Sequence, residues 1–160
     1  MNYIPFDNYA KAWIFRHREL SIPEETLSLI KPMTERRSEQ LWFEFISRHC
    51  DHPEFIASPD WAADDRAWKE TASWQGAWDS QSDELPELLS EHLQDWEPDT
   101  TVYFCYEANH VIETKWSVFK KHWKNFLFMD NGPFLIGKKR KQAVQFFENG
   151  NFRIGLRDNK

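Results

Sequence analysis

The sequence predicts an α+β fold in which N-terminal helices pack on a C-terminal antiparallel sheet of about five strands with one amphipathic helix. Before residue 100, capping residues and one-sided apolar stripes are typical of helices. After residue 100, short runs rich in β-branched and aromatic residues indicate strands. Asn149-Gly150 lies between two of them, and this pair is the strongest short signal of a β-hairpin. We expect one domain over 1–160, with a helical part (1–100) and a sheet-containing part (101–160).

The helical part contains two clear helix starts. Ser21 and Glu24 have the spacing of a capping box, with Pro23 between them at a position where its missing N–H costs nothing. Thr34 precedes a one-sided stripe that includes Leu41 and Trp42. Helices are predicted over 7–19, from Pro23 to about residue 31, and over 35–49, 61–68 and 85–93.

In the sheet-containing part, strands are predicted over 101–106, 111–114, 134–136, 143–148 and 152–156. One amphipathic helix separates the second strand from the third. Its apolar stripe consists of Trp116, Phe119, Trp123, Phe126 and Leu127, at intervals of three and four residues. We expect this stripe to lie in the core, and we expect the sequence 130–133 to end the helix.

Composition excludes several classes of protein. The chain has 160 residues, of which 16% are aromatic and only five are glycine. This excludes collagen, disordered tails and glycine-rich phosphate loops. Cys50 and Cys105 do not form a disulfide framework, and we expect both to pack as small apolar residues. Because no signal peptide or long apolar run is visible, we predict a cytoplasmic protein without a membrane segment.

The net charge of −6 conceals a strong asymmetry along the chain. Residues 1–50 carry seven acids and seven bases. Residues 51–100, the acidic segment, carry fourteen acids and two bases, a net charge of −12. Residues 101–160 carry five acids and eleven bases, a net charge of +6. Two interpretations stay open: the acidic segment packs near the basic end of the chain, or the two surfaces bind charged partners.

The sequence contains no strong candidate for a metal site or a catalytic site. The cluster from His49 to His52 offers two imidazoles and a thiol but no second ligand pair, so we expect no metal. Cys105 could act as a catalytic nucleophile with His110 across the turn and Asp130 further on, but it lies in the middle of a predicted strand, where a packed thiol is expected. Acidic pairs are abundant and indicate a solvated surface. We therefore predict no catalytic residue and no cofactor.

Two sets of residues are candidates for binding. Four cations follow one another between two predicted strands and could contact phosphate, an acidic protein surface or the acidic segment. The acidic segment also contains two pairs of tryptophans, one pair seven residues apart and the other four residues apart, and both spacings place side chains on one face of a helix. These four tryptophans could bind a cationic partner. The candidates are Lys138, Lys139, Arg140, Lys141, Trp61, Trp68, Trp74 and Trp78.

Six runs resemble an uncharacterised bacterial family, the domain of unknown function numbered 2947. They lie at residues 13–17, 51–53, 101–106, 111–114, 123–127 and 136–147, so the resemblance covers nearly the whole chain. The resemblance implies a small soluble bacterial protein and no assigned activity, so no catalytic residue can be transferred from it.

These observations favour a non-catalytic protein-binding or regulatory module whose partner is another protein. One alternative is an enzyme or small-ligand binder with an aromatic pocket. Another is a nucleic-acid-associated protein that uses the basic run, although the net negative charge disfavours nucleic acid as a partner. The sequence does not indicate the oligomeric state.

Overall fold

The computed structural model describes residues 2–128 and 132–157. Its centre is an antiparallel sheet of seven strands in the order β1-β4-β3-β5-β6-β7-β2. The strands are β1 (Lys31–Pro32), β2 (Trp68–Ser73), β3 (Thr101–Glu107), β4 (His110–Lys115), β5 (Phe134–Gly137), β6 (Gln142–Phe146) and β7 (Asn151–Leu156). The predicted α+β class is confirmed. The predicted number of about five strands is too low, because the two outermost strands, β1 and β2, come from the part predicted to be helical.

Helices cover both faces of the sheet. They are α1 (Glu24–Leu27), α2 (Glu35–Phe45), α3 (Gln75–Asp79), α4 (Glu87–His92) and α5 (Trp116–Phe126). The side chain of Thr34 caps α2 by accepting a hydrogen bond from the N–H of Arg37 at 3.2 Å, as predicted. Among the described residues, no helix is long and apolar enough to cross a membrane.

The central strand β3 connects two apolar cores. Phe104 points into a core shared with α5, whereas Tyr103 and Cys105 point into a second core shared with α2. This alternation follows from the period of two in a strand. Trp123 is fully buried in the first core and Trp42 in the second. Both faces of β3 are therefore apolar, which explains its continuous run of buried residues.

The helix predicted over 7–19 is absent. Three short 3₁₀ turns replace it: Phe6–Asn8, Ala12–Phe15 and Arg18–Leu20. The amide of Asn125, on α5, donates to the carbonyl oxygens of Ile14 at 2.8 Å and Leu20 at 2.9 Å. Since a continuous helix would use the Ile14 carbonyl internally, this contact favours separate turns that follow the surface of α5.

The helix predicted over 61–68 is also wrong. Two 3₁₀ turns, Trp61–Ala63 and Asp65–Ala67, lead directly into β2. Strand β2 pairs with β7 along the edge of the sheet, and four of its six residues are exposed. An edge strand with so many exposed residues has no apolar alternation by which it could be recognised. Of the segment 130–133, Asp130 and Asn131 lie outside the described residues.

Candidate functional site

The basic run forms the loop of the β5–β6 hairpin. Lys138, Lys139 and Lys141 are exposed, and Arg140 is half-buried. The backbone N–H of Lys138 donates to the carbonyl oxygen of Thr101 at 2.8 Å. Lys139 has a φ of 62°, in the left-handed region that tight turns use. The three lysines therefore project from a loop whose backbone is bonded to the neighbouring strand, whereas Arg140 is partly buried.

A close contact with the acidic segment supports this loop. A Cβ atom on Gly137 would lie 2.9 Å from Cγ of Arg140 and 3.0 Å from Cζ2 of Trp96. The guanidinium of Arg140 also donates to Oγ1 of Thr100 at 3.3 Å. Because only glycine leaves this space open, the indole of Trp96 can pack directly under the loop.

Two further cations lie beside the loop. The backbone N–H of Arg157, just after β7, donates to the carbonyl oxygen of Lys141 at 2.8 Å. Its guanidinium lies 5.0 Å from the ring centroid of Phe45, and burial lowers its pKa from the ordinary value. Lys115, at the end of β4, donates through Nζ to Oγ1 of Thr101 at 3.3 Å. We call the following six residues the basic end: Lys115, Lys138, Lys139, Arg140, Lys141 and Arg157.

No residue of the basic end forms an ion pair within the part of the chain that the structure describes. The two ion pairs found there, Arg16–Asp7 and Arg66–Asp64, join other cations. Arg140 and Arg157 also each keep a buried Nε–H without an acceptor. The basic end therefore presents positive charge that no neighbouring carboxylate neutralises by direct contact.

The acidic segment does approach the basic end, where two of its side chains form hydrogen bonds with the neutral side chain of Gln142. Trp96 donates through Nε1 to Oε1 of Gln142 at 3.0 Å, and Gln142 donates through Nε2 to Oδ1 of Asp95 at 2.8 Å. Of the two interpretations of the charge asymmetry, the structure supports proximity. The contact nevertheless leaves the lysines of the loop exposed to solvent.

An apolar patch borders the basic end. Leu156, which pairs with Gln142 across β7 and β6, is 44% exposed. It lines a cavity of about 400 Å³ together with Pro59 and Trp61, and the lining also includes the charged residues Asp60, Asp64 and Arg66. Pro59 and Trp61 also line a second, smaller cavity beside Phe43, which is 41% exposed. We call Phe43, Pro59, Trp61 and Leu156 the apolar patch. Exposed apolar residues grouped in this way are typical of protein interaction surfaces.

The four candidate tryptophans do not form one cluster. Trp61 and Trp68 pack on the α2 side of the sheet, and Trp74 and Trp78 pack on the α5 side. Each indole N–H donates to a backbone carbonyl oxygen, with partners Phe45, Ala62, Phe147 and Lys124, respectively. These contacts are those of structural residues, and only Trp61 also reaches the apolar patch.

Cys105 is buried, as predicted. It has no exposed surface, and burial raises the pKa of its thiol to about 12. His110 packs against Tyr9 and Tyr106 on the other side of the sheet, where its Nε2 contacts the Tyr9 hydroxyl. Cys105 and His110 therefore do not face each other, and Asp130 lies outside the described residues.

The cluster from His49 to His52 has local contacts. Sγ of Cys50 lies 3.4 Å from Oγ of Ser47. Nδ1 of His52 accepts a hydrogen bond from the N–H of Glu54 at 3.0 Å and thereby caps a 3₁₀ turn. Across the described ranges, no three His, Cys, Asp or Glu residues are grouped so that they could hold a metal ion.

Sequence reasoning missed Arg157 and Lys115. The signal for Arg157 was present in the hairpin turn at Asn149-Gly150, because that turn fixes the register that places Leu156 opposite Gln142. Lys115 reaches the basic end because β3 lies between β4 and β5 in the sheet. Strand order of this kind cannot be obtained from the period of a single strand.

A family model described as "Protein of unknown function (DUF2947)" matches residues 3–155. The chain belongs to this family. The resemblance seen in the sequence is thereby confirmed over almost the entire length of the DUF2947 protein. No curated protein and no solved structure matches the chain. The function of this DUF2947 protein must therefore be inferred from its own surface and interior.

Proposed function

We propose that this DUF2947 protein is a non-catalytic binding or regulatory module that engages a partner protein through the basic end. The observation that carries the proposal is a set of six cations, held at one end of the sheet, without a carboxylate partner among the described residues. Positive charge fixed on a bonded backbone favours fast and oriented association with an acidic surface. The proposal retains the cytoplasmic location predicted from the sequence.

The apolar patch supports a protein rather than a nucleic acid as partner. Leu156 connects the patch to Arg157, so charged and apolar contacts are available side by side. Protein interfaces combine an apolar centre with a polar rim.

A pair of charge-matched variants tests the proposal. The first replaces Lys138, Lys139 and Lys141 by alanine. The control replaces three exposed lysines elsewhere, Lys11, Lys31 and Lys69, and has the same net charge. Because all six side chains are exposed, we expect both variants to retain the wild-type free energy of unfolding to within about 0.5 kcal/mol.

Partner proteins are first cross-linked and identified in the source cell, and their affinities are then measured with purified components. We expect the hairpin variant to bind its partner at least 10-fold more weakly than the control, with a difference that shrinks between about 50 and 300 mM salt. Equal binding by both variants would contradict the proposal. Loss of binding to a single- or double-stranded oligonucleotide probe in the hairpin variant alone would favour the nucleic-acid alternative instead.

A further inference from the structure

A groove lies on the α5 side of the sheet. It has a volume of about 920 Å³, within the usual range for ligand sites. It runs between the stretch around α4 and the first turns of α5. One wall carries carboxylates, the opposite wall carries lysines, and the floor is apolar. The walls and floor comprise Asp83, Glu84, Glu87, Lys120, Lys121, Leu85, Trp96 and Trp116.

The opposed charges of the two walls do not neutralise each other by contact. The three carboxylates and both lysines are exposed. No ion pair joins them within the part of the chain described by the structure, where the ion pairs are Arg16–Asp7 and Arg66–Asp64. The groove thus presents carboxylates and ammonium groups that are exposed and not paired with each other, so both are available to a ligand.

Contacts behind the groove fix the position of the acidic wall and of the floor relative to α5. Trp123 donates through Nε1 to the carbonyl oxygen of Asp83 at 3.1 Å, which ties the acidic wall to α5. Trp96 and Trp116 pack edge to face beneath the groove, with ring centroids 5.3 Å apart. Leu85, Trp96 and Trp116 are each at least 92% buried, so the floor is part of the core. The floor of the groove is therefore held in place by the packing of the core.

We infer that this groove binds an extended polypeptide segment in which acidic and basic side chains alternate. In a strand, successive side chains point to opposite sides, about 3.3 Å apart along the chain. A strand lying along the floor would direct its acidic side chains to Lys120 and Lys121. Its basic side chains would meet Asp83, Glu84 and Glu87 on the other wall. Charge complementarity on both sides selects this occupant over a nucleic acid, which the carboxylates would repel.

This inference is independent of the function proposed for the basic end. None of the five charged residues of the groove belongs to the basic end or the apolar patch. The two sites adjoin: Trp96 lines the groove and packs against Gly137 in the hairpin, and Lys115 of the basic end directly precedes Trp116 of the groove. An experiment that contradicts one of the two proposals therefore does not contradict the other.

Two blocked hexapeptides with the same composition provide the test. One alternates glutamate and lysine, and the other has three glutamates followed by three lysines. Both are acetylated and amidated and have no net charge. Each is titrated into isotope-labelled protein at about 50 mM salt, and amide chemical shifts are recorded. We expect the alternating peptide to bind at least 5-fold more tightly and to shift the amide signals of Ser90, Ser117, Lys120 and Lys121.

Variants of each wall complete the test. We expect the double substitution K120A/K121A, and separately the triple substitution D83N/E84Q/E87Q, to weaken binding of the alternating peptide at least 10-fold. The control K11A/K69A, which removes two exposed lysines elsewhere, should bind as the wild type does. Circular dichroism melts confirm that each variant folds. Equal affinity for the two peptides, shifts centred on residues 138–141, or full binding by either wall variant would overturn the inference.

Discussion

The indole N–H of Trp96 donates a hydrogen bond to the side-chain oxygen of Gln142, 3.0 Å away, and so joins the acidic segment to the basic hairpin. Trp96 is 4% exposed, and its indole N–H has no other acceptor among the described residues. We expect Gln142→Ala to leave this donor unsatisfied and to lower the free energy of unfolding by about 1–3 kcal/mol. Urea denaturation measures the change.

The matched control is Gln40→Ala, because Gln40 is exposed and, among the described residues, its amide oxygen accepts only an exposed hydrogen bond from the half-buried Arg37. Its free energy of unfolding should stay within about 0.5 kcal/mol of the wild-type value. If both glutamine variants were equally stable, the bond between Trp96 and Gln142 would have no net effect on stability.

Two glycines should respond in opposite directions to the same substitution. A Cβ on Gly137 would meet Cγ of Arg140 at 2.9 Å, whereas a Cβ on Gly76 meets nothing within 4 Å. We expect Gly137→Ala to destabilise the fold by about 1–3 kcal/mol through overpacking. Gly76→Ala lies within helix α3 and should stabilise it by about 0.4–1 kcal/mol. Thermal melts of the two variants test this. A Gly137 variant as stable as the wild type would show that the loop relaxes easily, and a destabilised Gly76 variant would contradict the expectation for α3.

Trp123 should be among the most sensitive core positions. It is fully buried on α5, and its N–H donates to the carbonyl oxygen of Asp83. We expect Trp123→Ala to lower the free energy of unfolding by about 3–5 kcal/mol. Trp13→Ala, at a position that is 52% exposed, should cost less than about 1 kcal/mol. Comparable losses for the two variants in denaturant melts would be inconsistent with the assigned face of α5.

Stability should fall as the pH decreases from about 6.5 to about 4. Burial, with a smaller contribution from the charge of Lys11, lowers the pKa of His110 from 6.5 to about 4. In this interval the unfolded chain binds a proton at His110 that the folded chain does not, so acid favours unfolding. The full loss from this residue is about 3 kcal/mol. Burial also lowers the pKa of His92 and His122, which adds to the loss in the same direction.

Denaturant melts at several pH values check this expectation. The variant His110→Gln keeps a polar partner for the hydroxyl of Tyr9 but has no titrating ring. Its stability should therefore depend less steeply on pH between 4 and 6.5. A variant with the same pH dependence as the wild type would show that other groups determine the acid sensitivity.

The sheet-containing part could be predicted from the sequence to a large extent. The strands around Phe104 and Ile154 and the stripe of α5 follow their periods closely, because one side of each element contacts a core. Thr34 was recognised as a cap because its role depends only on the three residues after it. The same local rule failed at Ser21, because α1 begins after Pro23 and its N-terminus has no side-chain cap.

The edge strands and the assembly of the basic end could not be predicted. Strand β2 exists because β7 offers it a partner 77 or more residues away, and its own exposed residues carry no pattern. Arg157 joins Lys115 and the hairpin through the order of the strands, which depends on pairing across the whole sheet. Tertiary contacts therefore determined both the outer strands and the candidate site.

Because β3 contributes alternate side chains to both apolar cores, neither layer of helices can separate from the sheet without exposing part of this strand. The amide protons of β3 should consequently exchange with solvent only through global opening, more slowly than those of the edge strand β2. The two apolar cores then unfold as one cooperative unit, although no side chain belongs to both.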